Sequence, residues 1–199
     1  MRDKMSTAQQ NQNSQLTWPN PPRVAISEAA RTAIATFFDH WRRLPSEQNQ
    51  FAPHLRTFLD HPNPALQPRV AIIDVVPPQN LKVRLFATDR ESTLGLNMTG
   101  ANALDVYPPS LRSKVWRGVF AVVSRPCGWL TERIITSASG ATTSSLALTL
   151  PLATDQDAPQ CSVNYTYLVD RIDLVGQTAS VNWVSDGTWI DLGAGVPTG

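Results

Sequence analysis

A chain of 199 residues with 42% hydrophobic and 17% charged side chains has a globular composition and is long enough to bury a sizeable core. Its formal net charge of +1 carries no electrostatic signature for nucleic acid or an anionic membrane surface, and no apolar run approaches the ~20 residues that span a bilayer. The N-terminus lacks the apolar core of a secretory signal, so the expected location is cytoplasmic.

Residues 1–22 are polar and rich in Gln and Asn, ending in Pro19, Pro21 and Pro22. They read as a disordered or loosely docked lead-in. A helix is expected within 23–45. Ser27 can cap it, Ile26, Ala30, Ala33, Ile34, Phe37, Trp41 and Leu44 recur at helical spacing, and Pro45 stops it. Phe38 widens that stripe, which must pack on the sheet of its own chain or on the same helix of a second chain. Ile34, Phe37, Phe38 and Trp41 are therefore the candidate contacts of a homodimer. The main domain is expected over 46–175. It opens with a short helical stretch, with Phe51, Leu55, Phe58 and Leu59 on one face, and a link through Pro62, Pro64 and Pro68.

VAIIDVV (70–76) is nearly all apolar, which predicts a strand covered on both faces. After a Pro-Pro-Gln-Asn turn, LKVRLFAT alternates, with Leu81, Val83, Leu85 and Ala87 on one face and Lys82, Arg84, Phe86 and Thr88 on the other. Residues 89–107 are irregular to helical, broken at Gly95, Asn97 and Gly100. Pro109 suits the first turn of a helix whose inner stripe is Leu111, Val115, Val119 and Val122, ending at Arg125-Pro126. Three strands follow near 128–136, 142–150 and 161–169, the first two joined by a Ser139-Gly140 hairpin. The 176–199 extension holds Val181, Trp183, Trp189, Ile190 and Leu192, too apolar for a plain tail, and part of it is expected to dock as an extra strand. The order predicts an α+β fold, an antiparallel sheet with helices on one face.

Between about Arg31 and Asp173 the chain resembles the short bacterial proteins that carry one PAS domain and little else. The marks are Trp41-Arg42, LQPRVAIIDVV, KVRLFATD, the Leu94-Gly95 and Thr99-Gly100 pairs, the Asp105 to Pro109 helix entry, and LALTLPLATD. Ala87-Thr88 stands where the family usually has Gly-Thr. The resemblance implies a PAS-like five-stranded antiparallel sheet with helices enclosing a central cavity for a small ligand or cofactor, and helices outside the core that often mediate dimers. No specific cofactor is implied.

The candidate pocket residues are Arg84, Phe86, Thr88, Met98, Val115, Phe120, Arg133, Leu146 and Leu148. Arg84 and Arg133 could each clamp an anionic ligand or hold a structural salt bridge, for Arg84 with Asp74, Asp89 or Glu132. Phe86, Trp116, Phe120, Trp129, Tyr165 and Tyr167 read mainly as core, and Trp129, Tyr165 and Tyr167 could face the N-terminal helix. His40, His54 and His61 fall outside the region expected to line a cavity, which disfavours haem. The crossover has no Cys for covalent flavin chemistry. Cys127 and Cys161 stand outside any CxxC spacing and read as small apolar side chains, with neither a disulfide nor a metal expected. No catalytic motif is present. The expected function is a cytoplasmic sensory or regulatory module that binds a small, partly apolar ligand and signals by dimerisation or to a separate partner protein. A ligand-free protein-interaction module is the alternative. A small cone-fold enzyme, with Asp74 as its buried base, is the third reading.

Overall fold

The computed structural model describes residues 26–47, 50–158, 160–169 and 179–198, together with Leu16 and Trp18. The lead-in expected over 1–22 lies outside the described residues except for those two, which pack against the N-terminal helix and its apolar cluster. That helix, α1, spans Glu28–Arg43. Ser27 Oγ accepts from the Ala30 amide at 3.2 Å, Glu28 sits in the first turn, and Arg42 and Arg43 in the last, all matched to the helix dipole. A second helix, α2 (Leu55–Asp60), buries Leu55 and Phe58. Phe51 and Leu59, expected on the same face, are exposed.

The described strands are β1 (Val70–Val76), β2 (Asn80–Phe86), β3 (Cys127–Ser137), β4 (Thr142–Leu152), β5 (Gln160–Leu168), β6 (Ala179–Val184) and β7 (Thr188–Asp191). The first five pair antiparallel in the order β2-β1-β5-β4-β3. Between β2 and β3 the chain crosses over through α3 (Thr88–Leu94), a 3-10 turn (Ala103–Val106) and α4 (Pro109–Ser124). Gly95 ends α3 in the left-handed region, at φ 68°. Two leading strands, a helical crossover and a three-strand meander are the arrangement expected from the sequence, and the fold is α+β. The sheet is longer than the five strands expected. β6 pairs with Arg133–Ser137 and β7 with Cys127–Leu130 along the free edge of β3, so the apolar extension is sheet.

Helices cover both faces of this sheet rather than one. α1 lies across β4 and β5. Its Phe37 ring stacks on Tyr165 at 4.7 Å and 12°, and Trp41 Nε1 donates to the Pro151 carbonyl at 3.1 Å. Ile34, Phe37, Phe38 and Trp41 are all buried within this single chain. The helix has used its apolar stripe on its own sheet, so these four residues are not available as the surface of a dimer. Beneath α1 lie Leu146, Leu148, Leu150, Cys161, Val163 and Tyr165. The opposite face meets α3 and α4, with Ala71, Ile73, Val75, Leu81, Val115, Val119, Val122 and Trp129 forming a second cluster. Trp129 belongs there, not against α1.

Candidate functional site

A cavity of about 40 Å³ lies between the second face of the sheet and α3 and α4. Most of its wall is apolar, from Ala71 and Ile73 of β1, Leu81, Val83 and Phe86 of β2, Leu94, Met98 and Val106 of the crossover, and Val115 and Val119 of α4. Its polar wall is Arg90, Tyr107, Arg133, Thr149 and Asn164. No carboxylate or imidazole lines it among the described residues. The volume is the space open to the centres of water-sized spheres, of which each water needs ~10–15 Å³, so the cavity holds about three waters and is far short of the ~300 Å³ or more of a drug-sized pocket.

The β1–β2 register decides which β2 side chains reach the cavity. Ile72 pairs with Leu85 but Ile73 pairs with Val83, which leaves Arg84 as an extra, bulged residue. A bulge reverses the alternation beyond it. Phe86 therefore shares the cavity face with Leu81 and Val83, and Leu85 turns outward and is exposed.

Four sequence-predicted pocket residues do line the cavity: Phe86, Met98, Val115 and Arg133. The other five do not. Arg84 lies on the outer face, where its Nε donates to Asp74 Oδ1 at 2.9 Å. Thr88 opens α3 in solvent. Phe120 is 37% exposed on the outer side of α4, stacked on Trp116 at 5.6 Å. Leu146 and Leu148 lie under α1 on the other face of the sheet. Asp74, the base that a cone-fold enzyme would need, faces Arg84 outside the cavity.

The Arg84–Asp74 pair is thus a structural one, and solvent screens its half-exposed guanidinium. Replacing Arg84 with Met is expected to cost about 1 kcal/mol, because it leaves a mostly buried carboxylate with its main partner gone. Ligand binding should be unchanged. Urea unfolding checks the first expectation, and weakened binding of any cavity ligand would contradict this placement.

Arg90, Tyr107, Thr149 and Asn164 line the cavity but are absent from the sequence's pocket candidates, and Arg90 is the charged one among them. It projects from α3, its guanidinium lies 5.2 Å over the Phe86 ring, and one terminal nitrogen donates to Asn164 Oδ1 at 2.7 Å and Thr166 Oγ1 at 2.6 Å. Its Nε is buried with no partner. Asn164 in turn donates to Thr149 Oγ1 at 2.8 Å. Arg133, only 6% exposed, makes one side-chain bond, from Nε to Thr131 Oγ1 at 3.2 Å. Directly opposite it in the β3–β4 ladder is Ser145, whose hydroxyl is buried and unpartnered. Neither arginine has a carboxylate within ion-pair distance among the described residues. Burial foremost, and then repulsion from Arg133, push the Arg90 guanidinium down to about 9, with Tyr107 opposing. That still lies above neutral pH, so Arg90 is a cation there.

The remaining titratable candidates have structural places. Cys127 and Cys161 are free and buried. Burial is the main cause that raises Cys127 to about 11 and Cys161 to about 12, so both stay as unreactive thiols at neutral pH. His54 caps α2 by accepting from the Arg56 amide at 3.2 Å. His40 packs edge-on to Phe58, and desolvation, foremost, lowers its pKa. No helix among the described residues is long and apolar enough to cross a membrane.

No protein-family model and no curated protein matches this chain. Solved structures similar to it include VqmA of Vibrio cholerae, at 11% identity over 53% of this chain and 48% of that one, with a TM-score of 0.42. The Rhodobacter sphaeroides LOV protein is 14% identical over 54% of this chain and 64% of its own, with a TM-score of 0.42. A PAS domain from Colwellia psychrerythraea is 12% identical over 49% of this chain and 84% of its own, with a TM-score of 0.38. The matched region spans about half of VqmA and just under two thirds of the LOV protein.

Proposed function

We propose that this chain is a cytoplasmic sensory or regulatory module that binds a small molecule between its sheet and the α3–α4 cover. Occupancy would be passed to a separate partner protein or a second copy. The observation that carries this reading is the polar wall of the cavity. Arg90, Arg133, Thr149 and Asn164 line a space otherwise walled mostly by apolar side chains. A core evolved only for packing would not hold two unpaired cations there, since each costs stability without a compensating charge. α3 and the crossover also supply much of the wall, so an occupant would touch the helical cover as well as the sheet.

The cavity volume of about 40 Å³ favours a second reading, a protein-interaction module whose interior holds only water. Under either reading a second copy cannot use the α1 stripe, which is already buried. The exposed Phe120 on α4, stacked on Trp116, is a more accessible apolar surface.

Native mass spectrometry of the protein purified from its own host, with an absorbance spectrum alongside, separates the two. A retained small molecule supports the sensor. A clean apo mass, with no molecule recovered from any growth condition, supports the interaction module.

A further inference from the structure

The polar wall also restricts what the ligand can be, if the ligand-binding reading holds. We infer that the cavity takes a small monocarboxylate, its carboxylate group between Arg90 and Arg133 and its short aliphatic tail against Val83, Met98 and Val119. Two guanidinium groups line one cavity, one from α3 and one from β3. An anion is the occupant that removes their mutual repulsion and supplies the missing acceptors. Arg90 Nε is buried without any acceptor, and the terminal nitrogens of Arg133 bond to nothing among the described residues. Planar guanidinium donors match the planar, two-oxygen acceptor of a carboxylate. The buried Ser145 hydroxyl opposite Arg133 has no partner either.

Charge alone would equally admit chloride or an inorganic oxyanion. The rest of the wall decides against them. Most of it is apolar, and that part would gain nothing from an ion that is polar all round. The volume sets the size. Room for about three water centres, or roughly 90 Å³ of liquid water, matches a carboxylate carrying one to three carbon atoms and excludes flavin or haem in this conformation.

Thermal unfolding of the full chain, titrated with sodium acetate, propionate and butyrate at constant ionic strength, tests this. Sodium chloride, sodium phosphate, acetamide and butyramide are the controls. A saturable rise in Tm with at least one carboxylate is expected, and none with its amide. Arg133→Met should raise the Tm of the apo protein, because it removes an uncompensated buried charge, and should weaken carboxylate binding at least about tenfold. Arg90→Gln, on the half-buried helix α3, should weaken binding similarly and serves if Arg133→Met does not fold. Equal shifts with acid and amide, shifts with chloride or phosphate alone, or no shift with any carboxylate would overturn the inference. The sensor reading fails separately. A neutral molecule retained in the native mass spectrum would keep a ligand-binding module and discard the carboxylate, whereas an apo mass together with no carboxylate shift removes both.

Discussion

Phe37→Ala is expected to remove about 3–5 kcal/mol of folding stability. That is a large share of the ~5–15 kcal/mol available to a domain. The side chain is fully buried, it stacks on Tyr165 at 4.7 Å, and it meets the edge of Phe58 at 6.5 Å. It thus joins three separate pieces of the chain: α1, α2 and β5. Truncation opens a cavity where no neighbour can collapse freely, because Tyr165 is fixed in the sheet and Phe58 in a helix. Urea unfolding at two protein concentrations would measure the loss. It should be the same at both, since the contact lies within one chain. A loss that grows on dilution would instead mean that α1 packs on a second copy. Phe120→Ala, on the exposed side of α4, is the companion variant and should cost under about 1 kcal/mol.

The same geometry shows why the sequence exposes the elements but not the site. The periodicities of α1 and α4, the Ser27 cap, the break at Gly95 and the strand set from VAIIDVV onward are local signals, each carried by a few neighbouring residues. Which face of a strand looks at the cavity is not local. In β4, Leu146, Leu148 and Leu150 alternate with Ser145 and Thr149. The usual rule of apolar in and polar out puts the leucines in the cavity. That rule assumes one wet face. Here α1 covers the leucine face and α3 with α4 covers the other, so the polar residues line the interior. The bulge at Arg84 had the same effect in β2. It exchanged the faces of Leu85 and Phe86 with no residue in the sequence to announce it. Arg90 could not be found locally either, because its partners Asn164 and Thr166 are more than seventy residues away. Of the cavity's polar residues, only Arg133 is among the pocket candidates read from the sequence.

Gly118→Ala should destabilise the protein even though helix propensity argues the opposite. Within α4, exchanging Gly for Ala would ordinarily stabilise the helix by about 1 kcal/mol. A methyl group at this position, however, would lie 2.8 Å from Cζ2 of Trp129 and closer still to Cη2 and Cζ3. The ring has little room to withdraw. Its far side is occupied by Trp189, stacked at 5.6 Å, and its Nε1 donates to the Asp186 carbonyl at 3.1 Å. Relief therefore requires α4 to lift from β3, or the Trp129–Trp189 pair to slide along the strands. The Lys114 ammonium resists the first movement by donating to the Val184 carbonyl at 2.8 Å and pairing with Asp186 at 2.9 Å. Overpacking of this kind costs about 1–3 kcal/mol and sometimes more, enough to outweigh the propensity gain. Because Val115 and Val119 of the same helix line the cavity, a lifted α4 would also change the space available to a ligand. Chemical denaturation and near-ultraviolet circular dichroism, which reports the stacked tryptophans, would be measured together. A variant more stable than the parent with an unchanged aromatic spectrum would mean that α4 does not sit on Trp129 at Gly118. The close approach of that helix to the sheet, on which the small size of the cavity depends, would then be wrong.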